Sequence, residues 1–164
     1  MKILVLSDSH SGLRFMRSCI SWAKPDAVVH LGDHYDDGLA LAEEYPHLTF
    51  HQVAGNCDRY RCPLDAREML CYSLGGVMTF MTHGHNQHVK LGLGGLIAEA
   101  NRYGAGLALY GHTHKAYCRQ EENGMWVMNP GSCGSSGGSA GIVKIQDGRV
   151  TACYIITQED LAQS

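Results

Sequence analysis

Short apolar runs punctuated by polar loops recur along the chain. Ile3 to Leu6 is apolar and β-branched in part, and is followed by Asp8-Ser9-His10-Ser11-Gly12 and then an amphipathic stretch from Leu13 to Ala23. That order predicts strand, loop and helix. It repeats with Ala27 to Leu31 as a strand, Gly32 to Gly38 as a loop and Leu39 to Tyr45 as a short helix. Two βα units in succession predict an α/β fold. Thr49 to Val53, Val77 to Met81 and Leu107 to Tyr110 read as further strands, with a helix best formed from Leu96 to Tyr103 because Gly92, Gly94 and Gly95 weaken its start. Beyond these, Met125 to Met128, Gly141 to Ile145 and Val150 to Ile156 read as strands, with Asp147-Gly148 as a tight hairpin turn. This last third predicts an antiparallel end to a mixed sheet. The Gly/Ser run from Gly131 to Gly141 reads as a surface loop, too short to separate domains.

The 164 residues suit one domain, expected to span 1–164, and a hydrophobic fraction of 45% with 18% charged residues is that of a globular protein. A net charge of -3 with no block of Lys or Arg gives no basic nucleic-acid-binding face. No apolar stretch is long enough to span a bilayer, and Met1 to Leu6 is too short for a secretory leader. Seven cysteines, scattered and without a Cys-x-x-Cys pair, argue against a disulfide framework or a thiolate zinc site. The expectation is a reduced, cytoplasmic protein. Its oligomeric state is open, a homo-oligomer included.

Polar residues follow the apolar runs where ligands gather in α/β sheets, outside the carboxyl ends of strands. Five such ends carry Asp8 and His10, then Asp33, then Asn56, then His83, then His112 and His114. Seven potential ligands are too many for one ion, so two are implied. A mixture of carboxylates, an amide and imidazoles suits Mn, Fe, Co, Ni or Zn better than Mg or Ca. Two such ions sharing a carboxylate can clamp a phosphate and generate a bridging hydroxide near neutral pH.

Asp8-Ser9-His10, Gly32-Asp33-His34-Tyr35-Asp36, Gly55-Asn56-Cys57-Asp58, Thr82-His83-Gly84-His85 and Gly111-His112-Thr113-His114 stand in this order along the chain. The pattern resembles the calcineurin-like metallophosphoesterase superfamily, and within it the small YfcE-type phosphodiesterase branch. The resemblance implies a four-layer αββα sandwich. It implies that Asp8, His10 and His114 hold one metal, that Asp33 bridges, and that Asn56, His83 and His112 hold the other, with manganese the first expectation. Many members carry His where this chain has Cys57, which favours substrates with good leaving groups or a proton donor supplied elsewhere, by His85 or a metal-bound water. Asp33, Asn56 and His112 complete the expected catalytic set. Relatives often continue past Asn129-Pro130-Gly131-Ser132 to a Pro-Arg pair, whereas here Cys133 and Gly/Ser follow, so that loop offers no arginine to phosphate.

Alternative readings attach to several of these residues. Asp8 and Asp33 could cap the helices that follow them, and Asp58 could cap a turn. His34, Asp36 and Asp37 could orient Asp33 or begin the short helix. Cys57 is either a small packing residue or a functional thiol, and Cys19, Cys71, Cys118 and Cys153 read as ordinary buried thiols. His30, His47, His51 and His88 are assigned no role. Gly92-Leu93-Gly94-Gly95 lacks the context of a phosphate-binding loop. For function, the first reading is a dinuclear metal-dependent phosphodiesterase acting on small diesters, because short loops leave the site open. A phosphomonoesterase or nuclease is the alternative within the class. Outside it stands an interaction scaffold like the retromer coat subunit that resembles this fold but lacks metal ligands that are retained here.

Overall fold

The computed structural model describes residues 1–134 and 137–163. Along the chain run β1 (Lys2–Leu6), α1 (Leu13–Ala23), β2 (Ala27–His30), α2 (Tyr35–Glu44), β3 (Thr49–Gln52), β4 (Met69–Leu74), β5 (Val77–Thr82), α3 (Gly94–Arg102), β6 (Leu107–Leu109), β7 (Tyr117–Gln120), β8 (Trp126–Asn129), β9 (Ser139–Gln146), β10 (Arg149–Thr157) and α4 (Gln158–Ala162). One sheet has the order β10-β9-β1-β2-β3 and the other β4-β5-β6-β8-β7. In the first, β1, β2 and β3 are parallel and the β9–β10 hairpin is antiparallel to β1. In the second, β5, β6 and β8 are parallel, with β4 and β7 antiparallel at the edges.

The near-continuous apolar character of β1 follows from burial on both faces. Ile3 and Val5 pack with Val29, Met81, Leu109 and Val143 between the two sheets. Leu4 and Leu6 point the other way, into a layer with Met16 and Ile20 of α1 and Leu41 of α2. On the far side of the second sheet, Phe80, Ala108 and Val127 bury Leu96 and Ala100 of α3. Helices, sheet, sheet and helix thus form the expected four-layer αββα sandwich, and its carboxyl strand ends converge at one edge.

Several boundaries differ from the sequence expectation. Helix α2 begins at Tyr35 rather than Leu39, because Asp36 and Asp37 fit the positive end of a helix and the turn closes ahead of the apolar residues. Strands β4 and β7 were not expected, being short edge strands with mixed exposure, and neither was α4, which a capping box at Thr157 and Asp160 starts. The last third is not uniformly antiparallel, since β8 joins the second sheet parallel to β6. Nor is the Gly/Ser run a surface loop throughout: Gly131, Ser132 and Cys133 are buried and β9 starts at Ser139, while Ser135 and Ser136 lie outside the described residues. Asp147 and Gly148, with φ of 52° and 71°, make the expected hairpin turn. Cys118 and Cys153 are half-buried rather than fully buried, and their Sγ atoms stand 3.2 Å apart where β7 of one sheet meets β10 of the other. Among the described residues no helix is long and apolar enough to cross a membrane.

Candidate metal centre

The loops after β1, β2, β5 and β6 bring six of the seven expected ligands to one place; the seventh, Asn56 in the loop after β3, is exposed and its Nδ2 donates to Cys57 Sγ at 3.5 Å. His114 Nε2 lies 3.1 Å from Asp8 Oδ1, and donor atoms of Asp8, His10, Asp33 and His114 all fall within 4.8 Å of one another. Beside them, His83 Nε2 is 3.4 Å from Asp33 Oδ2 and 3.9 Å from Asp8 Oδ1, and the His83 and His112 rings are 5.0 Å apart. Asn56 sits on the adjoining loop, where the Cys57 N–H donates to Asp33 Oδ1 at 3.0 Å. Asp33 therefore faces both groups of side chains.

The backbone is held in costly conformations to do this. Asp8, His10, Asp33, His112 and His114 all have φ between 41° and 70°, a left-handed region that costs a non-glycine residue roughly 1–2 kcal/mol. Strain of this kind persists where surrounding contacts enforce it and clusters at functional sites. The capping alternative for Asp8 and Asp33 fails, because α1 and α2 are preceded by Gly12 and His34 and neither helix start has a side-chain cap.

Hydrogen bonds aim the donor atoms. Asp8 Oδ2 accepts from Ser7 Oγ at 2.6 Å and from the His112 N–H at 3.1 Å, while Oδ1 is buried and has no hydrogen-bond partner. The His83 Nδ1–H donates to the Leu31 carbonyl at 2.7 Å, leaving Nε2 buried and without a hydrogen-bond partner. A backbone carbonyl can only accept, so Nδ1 carries the hydrogen and Nε2 is presented to the centre, the usual device behind a metal-binding histidine. Asp8 Oδ1 and His83 Nε2, both buried, both without a hydrogen bond and both beside the Asp33 carboxylate, fit a divalent cation.

The electrostatics agree with this arrangement. Burial pushes the Asp33 carboxyl up, but the adjacent His83 imidazole and the Cys57 backbone N–H outweigh it and hold Asp33 well below the usual carboxylate range. Burial would lower His83, yet the adjacent carboxylates of Asp33 and Asp8 outweigh it and raise it. Asp8 is raised by burial against the opposing pull of His83, Ser7 and His114. His112 is lowered to about 4 by burial, with His83 and Lys90 adding to it. Burial and the charge of Asp33 raise the Cys57 thiol, so it is not a ready thiolate nucleophile.

Residues around the centre divide differently from the sequence reading. Asp58, fully buried, accepts the N–H groups of Asp33, Tyr35 and Gly55 at 2.8, 2.9 and 2.7 Å, stitching the β2 and β3 loops together. Asp37 braces the β1 loop rather than Asp33, accepting from Ser9 Oγ and the Ser11 N–H, both at 2.8 Å. Asp36 pairs outward with Arg61. His34 stacks edge-on to His10, with ring centroids 4.8 Å apart. His30, given no role from sequence, is fully buried: its Nδ1 accepts from the Gly32 N–H at 3.3 Å, so Nε2 donates to Ser9 Oγ at 3.0 Å, and that hydroxyl donates on to Asp37. Ser132 Oγ donates to the Asp8 carbonyl at 2.8 Å. His85 stands next to the centre, its ring 5.5 Å from His83 and its Nε2 3.7 Å from Glu68 Oε1. Cys57 is exposed at the mouth. Nor are the loops all short: residues 53–68, between β3 and β4, make one wall of the site.

Comparison with known proteins agrees with this geometry. Residues 1–148 match the calcineurin-like phosphoesterase superfamily domain. A Bacillus subtilis protein named "Probable metallophosphoesterase YsnB" is 32% identical over 136 residues, covering 80% of this chain and 75% of its own length. The structure described as that of a novel archaeal phosphodiesterase superposes with a TM-score of 0.71 at 25% identity, over 96% of this chain and 99% of the other. Vps29 of Entamoeba histolytica, solved in complex with zinc, shares the fold with a TM-score of 0.70 at 19% identity, over 96% and 99% of the two chains.

Proposed function

This chain belongs to the calcineurin-like phosphoesterase superfamily, and we propose that it is a dinuclear metal-dependent phosphodiesterase acting on small phosphodiesters. The observation that carries the reading is the convergence of Asp8, His10, Asp33 and His114 donor atoms within 4.8 Å, with the buried Asp8 Oδ1 approached only by the imidazoles of His114 and His83 and accepting no hydrogen bond. Asp8, His10 and His114 would hold one cation, Asn56, His83 and His112 the second, and Asp33 would be shared. Two divalent ions supply Lewis acidity toward phosphoryl oxygens and make water more acidic near neutral pH. Manganese is the first choice of metal, with Fe, Zn, Ni and Co as alternatives that the mixed N/O donor set also suits.

The protein's own groups position the ester and manage its leaving alcohol. Hydrolysis forms a bond from the water oxygen to phosphorus, breaks the bond to the alcohol oxygen and delivers a proton to that oxygen. His85, beside His83, and Cys57, beside Asn56, are the side chains that would deliver that proton. Ser7, Ser132 and the His30–Ser9–Asp37 chain keep the β1 loop in its strained shape so that ligands need no reorganisation when the ester binds.

The test is hydrolysis of bis(p-nitrophenyl) phosphate by purified protein with each candidate metal. Activity is expected with Mn, lost on chelation and lost in Asp33→Ala; turnover that survives both treatments rules out the mechanism. The same assay with p-nitrophenyl phosphate separates a monoesterase.

A further inference from the structure

The loop of residues 53–68 does more than carry Asn56. Together with His85 it walls a cleft of about 700 Å³ that opens directly from the second half of the candidate metal centre, lined among others by Asn56, Arg59, Leu64, Arg67 and His85. A volume of this order accommodates a small organic ligand.

The charges in this loop are unevenly used. Arg61 points away and pairs with Asp36 at 3.1 Å. Among the described residues Arg59 and Arg67 pair with no carboxylate, and the ring contact of Arg59 is with its neighbour Tyr60. Both guanidinium groups are therefore free to meet an anion in this cleft. Two carboxylates share the wall, but Asp58 is buried under three backbone N–H groups and Glu68 is engaged by Asn86 and His85; Pro63, Ala66 and a fully exposed Leu64 supply its apolar part. The opposite flank has a second cleft with Lys90 and Lys115, but that cleft is lined by none of the candidate ligands and not by His85.

We propose that Arg59 and Arg67 form a subsite for a second anionic group on the leaving half of the substrate, so that the preferred diesters are those whose alcohol carries a further phosphoryl group, as in a phosphorylated dinucleotide. The inference rests on the phosphodiesterase reading. A guanidinium matches a phosphoryl group in bidentate fashion, Pro63, Leu64 and Ala66 offer apolar surface to the body of a nucleoside, and His85, which lines the cleft and stands beside His83, links it to the metal centre.

The experiment compares the dinucleotide dTpdT with its 5′- and 3′-phosphorylated forms, using Mn-loaded enzyme, with bis(p-nitrophenyl) phosphate as reference. One phosphorylated form is expected to show kcat/KM about tenfold or more above dTpdT, the size expected for a charge-assisted contact, carried mainly by KM. In Arg59→Ala/Arg67→Ala that ratio falls to near one. In Arg59→Lys/Arg67→Lys it is reduced but retained, and raised ionic strength erodes it in the unaltered enzyme, so the result does not depend on the alanine variant folding. Equal kcat/KM for all three dinucleotides, a ratio untouched by the double substitution, or cleavage of the reference alone overturns the subsite and leaves the phosphodiesterase reading intact. Failure to cleave any diester, the reference included, overturns both.

Discussion

The buried carboxylate of Asp58 accepts the backbone N–H of Asp33 at 2.8 Å, and so fixes the peptide from which the shared carboxylate projects. The same carboxylate holds Tyr35 and Gly55. Two strand-end loops that are distant in sequence are thereby tied at one point, immediately behind the centre.

Asp58→Ala is expected to leave three buried N–H groups without an acceptor and to destabilise the fold by about 3 kcal/mol, given roughly 1–3 kcal/mol per unsatisfied buried group with partial rescue by water. Asp58→Asn keeps acceptor oxygen but not the charge, and should lose less. Urea denaturation of both variants checks the order. Equal stability of Asp58→Ala and the parent protein would mean that the tie carries no weight.

Ligand removal should separate the two halves of the centre. Metal analysis of protein purified with excess Mn is expected to give about two ions per chain, consistent with a two-metal clamp. His10→Ala should bind about one, because Asn56, His83, His112 and Asp33 remain, whereas Asp33→Ala should approach none. Binding also gives Asp8 Oδ1 and His83 Nε2, buried without a hydrogen bond, a cation to ligate. Melting should therefore rise with metal, by about 2.7 kcal/mol of stability at a hundredfold excess over Kd, and fall on chelation. Full occupancy in Asp33→Ala would sink the bridging assignment.

His30 gives the fold a pH dependence of its own. Burial lowers its pKa from 6.5 to about 4, against the opposing charges of Asp58 and Asp37. A histidine with a depressed folded pKa binds fewer protons folded than unfolded, so stability is complete above 6.5 and is lost as pH falls toward 4, where the loss levels off. The shift corresponds to about 3 kcal/mol at 1.36 kcal/mol per pH unit. His30→Gln, which can accept from Gly32 and donate to Ser9, should fold with a flatter profile between these pH values. His30→Leu should leave Ser9 unsupported and lower activity as well. Chemical denaturation at pH 7, 5 and 4 reads the slope; identical slopes for the parent and His30→Gln would exclude His30 as the source.

What could be read from the sequence was the part written locally. The βα units and the ligands at their ends follow from apolar runs stopping at Asp8, Asp33, His83 and His112, because strand ends and polar loops are neighbours along the chain. The unexpected strands β4 and β7 are sheet edges whose pairing partners, not their own periodicity, make them strands. His30 was invisible for a related reason. It is the last residue of an apolar strand, and only the approach of Ser9 and Asp37 from two other elements gives it work. The cleft beside His85 depends on Arg59 and Arg67, whose charges carry no periodic signal and matter only once residues 53–68 fold against the centre.

Gly55 offers the sharpest packing test. A Cβ at this position would meet Asp33 Oδ1 directly and would lie 2.6 Å from the Asp33 backbone nitrogen, which cannot swing aside as a flexible side chain would. The nitrogen is also the one held by Asp58, so relief of the clash must move either the shared carboxylate or the tie behind it. Gly55→Ala is expected to cost about 1–3 kcal/mol of stability through overpacking and to lower kcat on bis(p-nitrophenyl) phosphate by about 100-fold, since a displacement near 1 Å of a positioning group has that order of effect. Gly94→Ala is the control. Gly94 opens α3 with nothing within 4 Å of its added Cβ, so the substitution should be neutral or stabilising by up to about 1 kcal/mol from helix propensity, with kcat unchanged. Thermal melts and steady-state kinetics on the pair decide it: parental activity in Gly55→Ala would show that the centre tolerates movement of Asp33, and with it that the close approach of these two loops is not what sets the geometry for ester cleavage.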